Sequence, residues 1–225
     1  MTAKQQHTIV VKGHMNPRIH HPLWYQVTGI LAEDQVQTSL VANAKLLMMP
    51  QLTQFATPGL HVQCMPDQWL ATSSPNTGSE SVLALACGTF ERLADTPVTA
   101  FGLNVTTATD VDPARLAAIT EDFARLPFQA PISGTQPEPE QVVFSYKLPP
   151  LKLAEDEHVS RRFRVTVTVK SDPSPALSVA INVHHDIHVT TRRNFDLARM
   201  LTAAAPVFQL AENQTSQVLG DRIAD

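Results

Sequence analysis

The sequence predicts an α+β protein in which antiparallel sheets are each backed by helices, with two halves of similar design. Three observations carry that prediction. Two runs in the C-terminal third, HVSRRFRVTVTVK and ALSVAINVHHDIHVTT, alternate between apolar and polar residues, the period of two that a half-buried strand requires. The break between them, Ser171 to Ala176 (SDPSPA), has the composition of a hairpin turn. Three further stretches repeat apolar residues at three- and four-residue spacing, the pattern of a helix with one buried stripe, and two of them follow groups of strands.

In chain order, Thr8 to Lys12 (TIVVK) reads as a short strand. A Pro-broken connection follows, with His14, His20 and His21 in it. Leu23 to Ile30 and Ser39 to Met49 are the next expected strands. Leu60 to Met65 and Gln68 to Ser73 flank Pro66-Asp67, a turn dipeptide, and form an expected hairpin. A helix capped by Asn76 or Thr77 runs to about Arg92, its stripe traced by Val82, Leu85, Ala86, Thr89, Phe90 and Leu93.

Val98 to Thr107 returns as a strand, with Gly102 marking a bulge or a close backbone approach. Asp112-Pro113 is a helix start, because Asp accepts from free amides and Pro loses no bond at the first helical position. That helix has Leu116, Ile119, Phe123 and Leu126 as its stripe. After a strand at Gln141 to Leu148 and the central hairpin, a last helix starts at Asn194. Pro206 divides it.

This layout separates an N-terminal half, residues 1–126, from a C-terminal half, residues 141–225. A Pro-rich connection at 127–140 lies between them, and the halves can pack as one domain.

Composition narrows the function. With 43% hydrophobic and 17% charged residues, the chain is expected to fold. A net charge of -4 argues against coating nucleic acid or an anionic membrane through bulk charge, so any anion site must be local. Two cysteines, Cys64 and Cys87, are too few for a zinc ribbon or a disulfide framework and read as reduced core residues. No apolar stretch approaches the roughly 20 residues of a membrane span. A cytoplasmic location is expected.

The segments LMMPQLTQFATPGLHVQCMPDQW and FERLADTPVTAFGLNV, with INVHHD before the last helix, carry a resemblance. They resemble a pattern of uncharacterised bacterial proteins of similar length. The resemblance covers most of the chain and its motifs are structural, so it implies a fold and carries over no activity.

The chemistry concentrates on the polar face of the hairpin. On a strand His184, Asp186 and His188 project to one side, and two imidazoles with a carboxylate are ligand types for catalytic zinc or non-haem iron. Residues two apart on a strand stand roughly 6.5 to 7 Å apart, however, so three in a row do not converge on one ion without a bend. The preferred reading pairs them across the hairpin, with Arg162 and Arg164 opposite or diagonal to Asn182, His184 and Asp186.

Arg162, Arg164, Lys170, Arg192 and Arg193 are candidate contacts for a partner or an anion, the arginine fork suiting bidentate binding. The face lacks the aromatic platforms that single-stranded nucleic acid requires. Nucleotide-loop and hydrolase signatures are absent from the sequence.

These readings favour a non-enzymatic binding or assembly subunit in a bacterial complex. It would present an Arg-rich sheet face or a strand edge to a protein partner, with no cofactor. The alternatives are a metal-dependent enzyme built on His184, Asp186 and His188, with a divalent ion, and a sensor of a small anionic ligand or nucleotide.

Overall fold

The computed structural model describes residues 4–41, 46–75, 77–124, 141–152, 158–170, 176–187 and 196–213. The first strand, β1 (Lys4–Gly13), leads into a 3-10 turn at Pro17–Ile19 and two helices, α1 (Pro22–Val27) and α2 (Glu33–Val41). A four-stranded meander follows: β2 (Leu47–Met49), β3 (Leu52–Thr57), β4 (Leu60–Met65) and β5 (Gln68–Ser73). Helix α3 (Ser79–Arg92) closes this group. The order then begins again with β6 (Val98–Asp110), α4 (Pro113–Ala124), β7 (Gln141–Lys152), β8 (His158–Lys170), β9 (Ala176–Ile187) and α5 (Leu197–Ala204). Past a break at Ala205, a last helix, α6, spans 206–213.

All nine strands join one antiparallel sheet in the order β2-β3-β4-β5-β1-β6-β9-β8-β7. This corrects the expectation of separate sheets. Strand β6 pairs with β1 on one side and with β9 on the other, from Ala100↔Asp186 to Asp110↔Ala176, so the ladder never breaks between the two groups. The mixed α+β class stands as expected.

One face of the sheet is dry. Ile9, Val11, Phe55, Val62, Trp69, Phe101, Leu103, Val105, Val179, Ile181 and Val183 are buried on it, and all belong to a single apolar cluster. Tyr25, Val36, Leu85, Phe90, Leu116, Ile119, Met200, Leu201 and Phe208 bring the helices into the same cluster. Every described strand residue of that cluster lies on this face, because register partners share a face. The helices therefore gather on one side.

Several expectations on the elements are corrected. Residues Leu23 to Ile30 do not form a strand: α1 begins with Pro22 at its first position, and the His21 ring accepts from the Leu23 amide at 3.0 Å, which together nucleate a helix. Ser39 to Val41 end helix α2, so only Leu47–Met49 of the next expected strand is one. The strand Leu52–Thr57 is additional; its inward residues are Thr53, Phe55 and Thr57, and two hydroxyl groups hide the alternation.

The Asp112 start is as expected, its carboxylate accepting from the Ala114 amide at 2.9 Å. So is the division at Pro206. Helix α3 is capped by Gly78 instead, without a side-chain bond. Helix α5 begins at Leu197, capped by Asp196, whose carboxylate accepts from the Arg199 amide. The connection at 127–140, Asn76, Leu126, Asn194 and the turn at 171–175 lie outside the described residues, as does the Phe123 side chain. No described helix is long and apolar enough to cross a membrane.

Candidate functional site

The face of the sheet opposite the helices holds the candidate site, and strand alternation builds it. Because β8 and β9 pair antiparallel with Arg162↔His184, Arg164↔Asn182 and Ser160↔Asp186, the polar residues of both runs stand on this face together. Across the next ladder Asn182 faces Asn104, and Asn104 in turn faces Thr8 and then Thr72. A hydrogen-bonded row results. Thr8 donates its hydroxyl to Thr72 at 3.1 Å, the Asn104 amide donates to the Thr8 carbonyl at 3.3 Å, and the Asn182 amide donates to the Asn104 side-chain oxygen.

Arg162 reaches diagonally to Asp186, Nη2 to Oδ2 2.7 Å, and His184 Nε2 lies 2.8 Å from Asp186 Oδ1. Both carboxylate oxygens are thus engaged by neighbours on the sheet. Partial burial pushes the Asp186 carboxyl up, but the His184 and Arg162 hydrogen bonds outweigh it and hold the group below its ordinary range. The cross-strand pairing read from the sequence is present. Its energetic value is small, about 0–1 kcal/mol for an exposed pair, so its effect is to fix the arginine's direction.

Among the described residues no group of three His, Cys, Asp or Glu side chains is placed to hold a metal ion. His184 and Asp186 turn toward each other, while His188 lies outside the described residues. Arg192 and Arg193 also lie outside them. Lys170 pairs in register with Ala176 at the far end of the hairpin, six residues from Arg164, which is about 20 Å along a strand. Its side chain lies outside the described residues.

One residue escaped the sequence reading, and Gly102, expected as a bulge or a close approach, stands at no register shift. Lys147, on β7, stands opposite Arg162 and is exposed, so the basic row continues onto a third strand. Gly102 faces His184 and Val10, and a Cβ there would meet the Asn182 amide nitrogen at 3.3 Å. Ala100, the next β6 residue on this face, stands opposite Asp186, so small residues line β6 beside the Arg162–Asp186 pair; this is the floor of the site, and Ala180 lies beyond the asparagine row opposite Thr106. The alternation signal could have found Lys147; only the register could have found the floor.

The remaining candidates resolve elsewhere. Cys64 and Cys87 are free thiols, and burial pushes both up, Cys64 to about 12, which keeps them protonated. His14 is exposed, His21 caps α1, and His20 is buried against Tyr25 on the helix side, so none of the three joins His184. His185 points the other way from His184: fully buried, it stacks on Phe101 with ring centroids 4.2 Å apart. Neither of its nitrogens finds a partner at hydrogen-bonding geometry.

At the opposite end of the described chain, Glu212 of α6 meets His7 of β1, Oε1 to Nε2 2.7 Å, and His7 Nδ1 faces the Thr77 carbonyl at 3.2 Å. This contact ties the last helix to the sheet. It stands on the dry face, away from the candidate site.

No protein-family model and no curated protein matches the chain. The functional reading rests on the geometry alone.

Proposed function

We propose that the protein is a non-enzymatic binding or assembly subunit that docks an acidic protein surface on the open face of its sheet. The observation that supports this most is the segregation of the fold. The described helices pack on one face, while the other carries Lys147, Arg162 and Arg164 beside the small residues Ala100 and Gly102. Exposed arginines suit such a contact, since arginine is enriched at protein interfaces. Half-exposed Val10 and Leu70 extend the face toward β5 and add apolar area.

The strand edges offer a second surface. Edge strand β2 exposes Leu47, Met48 and Met49 in succession, and an uncovered edge invites strand addition. Its three-residue length limits that contact. The same order of strand, helix, meander and helix on either side of the β1–β6 pair supports reading the chain as two similar halves. In each group the first strand pairs with the last strand of the meander.

The test is charge reversal with Lys147→Glu and Arg164→Glu together, sparing Arg162 because it holds Asp186. Binding of the partner recovered from native cells should fall at least about tenfold. The melting temperature should stay within about 2 °C, since exposed substitutions cost about 0.5 kcal/mol or less. Unchanged affinity would remove this reading.

A further inference from the structure

The sheet ends on β7, which pairs with β8 on one side and, among the described residues, with no strand on the other. An antiparallel edge strand turns the N–H and C=O of alternate residues away from its neighbour, and these groups can bond an incoming strand. Gln141 to Leu148 pair with β8 without interruption. The register then shifts between Leu148 and Leu151, where Pro149 and Pro150 have no N–H to donate. The regular edge therefore runs from Gln141 to Leu148, far longer than the three residues of β2.

Register also fixes the chemistry beside that edge. Val143, Ser145 and Lys147 share the open face with Thr166, Arg164 and Arg162, their partners on β8. All three are exposed, Val143 by 50%. Lys147 would stand directly opposite a residue of an added strand, about 5 Å away. Arg164 stands one strand further in, behind Ser145, whose short side chain leaves the way to the edge open. An arginine fork and a glutamate side chain together span two strand spacings, about 10 Å. Arg162 is held by Asp186, whereas neither Lys147 nor Arg164 forms an ion pair with a described residue.

We propose that β7 receives an extended acidic segment of the partner as a tenth strand. Two acidic side chains two residues apart stand opposite Ser145 and Lys147, and an apolar one stands opposite Val143. The inference rests on the open-face reading and gives its partner a conformation and a charge spacing. Carboxylates on consecutive residues do not serve, because only one of the two falls on the open face. A second copy of this chain fits less well, since antiparallel pairing of β7 with itself brings Lys147 and Arg164 of both copies onto one face.

The probe is the blocked nonapeptide TVTEVETVT, whose two glutamates share one face, titrated into the full chain and followed through backbone amide signals. Saturable shifts at Gln141 to Leu148 are expected. TVTEEVTVT has equal composition but carries its glutamates on opposite faces, and should bind about threefold to tenfold more weakly. Lys147→Glu should weaken TVTEVETVT to a similar degree. Methylating alternate peptide amides should abolish binding for the set that faces β7 and spare the other set, a split that docking on the flat face does not produce. No saturable shift, equal affinity of the two peptides, or no split between the methylated sets would overturn strand addition. The open-face reading is judged separately, by the affinity of the native partner for the Lys147→Glu/Arg164→Glu protein.

Discussion

Replacing Gly13 with alanine should destabilise the protein by about 3 kcal/mol or more, at the upper end of the cost of overpacking. A Cβ at this position would lie 2.1 Å from the Pro97 carbonyl oxygen and 3.0 Å from two further backbone atoms. Neither side can yield cheaply. Gly13 stands at a register shift in the β1–β6 ladder, its amide donates to the Asp67 carbonyl at 3.2 Å, and the next amide donates to Pro97 itself. Relieving the clash breaks bonds that join the two strand groups. Thermal denaturation should show a fall of roughly 6 to 12 °C for a chain of this size.

Gly29 is the contrast. Its φ of 74° is left-handed but nothing lies within 4 Å of its would-be Cβ, so Gly29→Ala should cost only about 1–2 kcal/mol. A Gly13→Ala variant as stable as the wild type would mean that β1 and the Pro97 segment do not approach as described.

Mild acid should unfold the protein through two buried histidines. Burial lowers both His20 and His185 to about 4. For His185 the Arg161 charge adds to burial, and the nearby Val183 and Phe101 carbonyls offset them only in part. In the unfolded chain each ring takes up a proton near pH 6.5, whereas in the folded chain it stays neutral until about pH 4. Both contributions are therefore complete above pH 6.5 and are lost as pH falls from 6.5 to 4. Each amounts to about 3 kcal/mol at pH 4. Together they match the lower range of a domain's total stability.

Denaturant unfolding at stepped pH measures this loss directly. His185→Phe keeps the stack on Phe101 and removes two buried nitrogens without partners. It should flatten about half of the pH dependence and raise stability at pH 7 by about 1–3 kcal/mol. A stability that is level between pH 6.5 and 4 would place both rings in water.

Local chemistry made much of this structure legible. The Asp112-Pro113 start, the stripe of α3 from Val82 to Phe90, and the strict alternation of β8 and β9 are each written within a dozen residues, and the fold follows them. The Arg162–Asp186 contact was legible for the same reason, since alternation and antiparallel register bring diagonal neighbours within reach.

Other features depend on partners distant in sequence. Leu23 to Val27 has the aromatic and β-branched composition of a strand, and its helical state comes from two local devices, Pro22 and the His21 cap. Strand β3 hides behind inward threonines, whose burial only the tertiary packing explains; Thr53, for instance, donates to the Pro17 carbonyl at 2.7 Å. The single sheet requires β6 to serve two neighbours at once, which no window of sequence displays. The floor at Gly102 exists only once β9 lies beside it.

The central claim is that the open face of the sheet is the binding surface, and site-specific photocross-linking tests it most directly. A photoreactive side chain at Thr166, on that face one residue pair from Arg164, is compared in cells with one at Glu91, exposed on α3. The account predicts a covalent adduct to an acidic protein from Thr166 and none from Glu91, with the adduct lost on Lys147→Glu/Arg164→Glu. Adducts from Glu91 alone, or from Thr166 regardless of those charges, would contradict it.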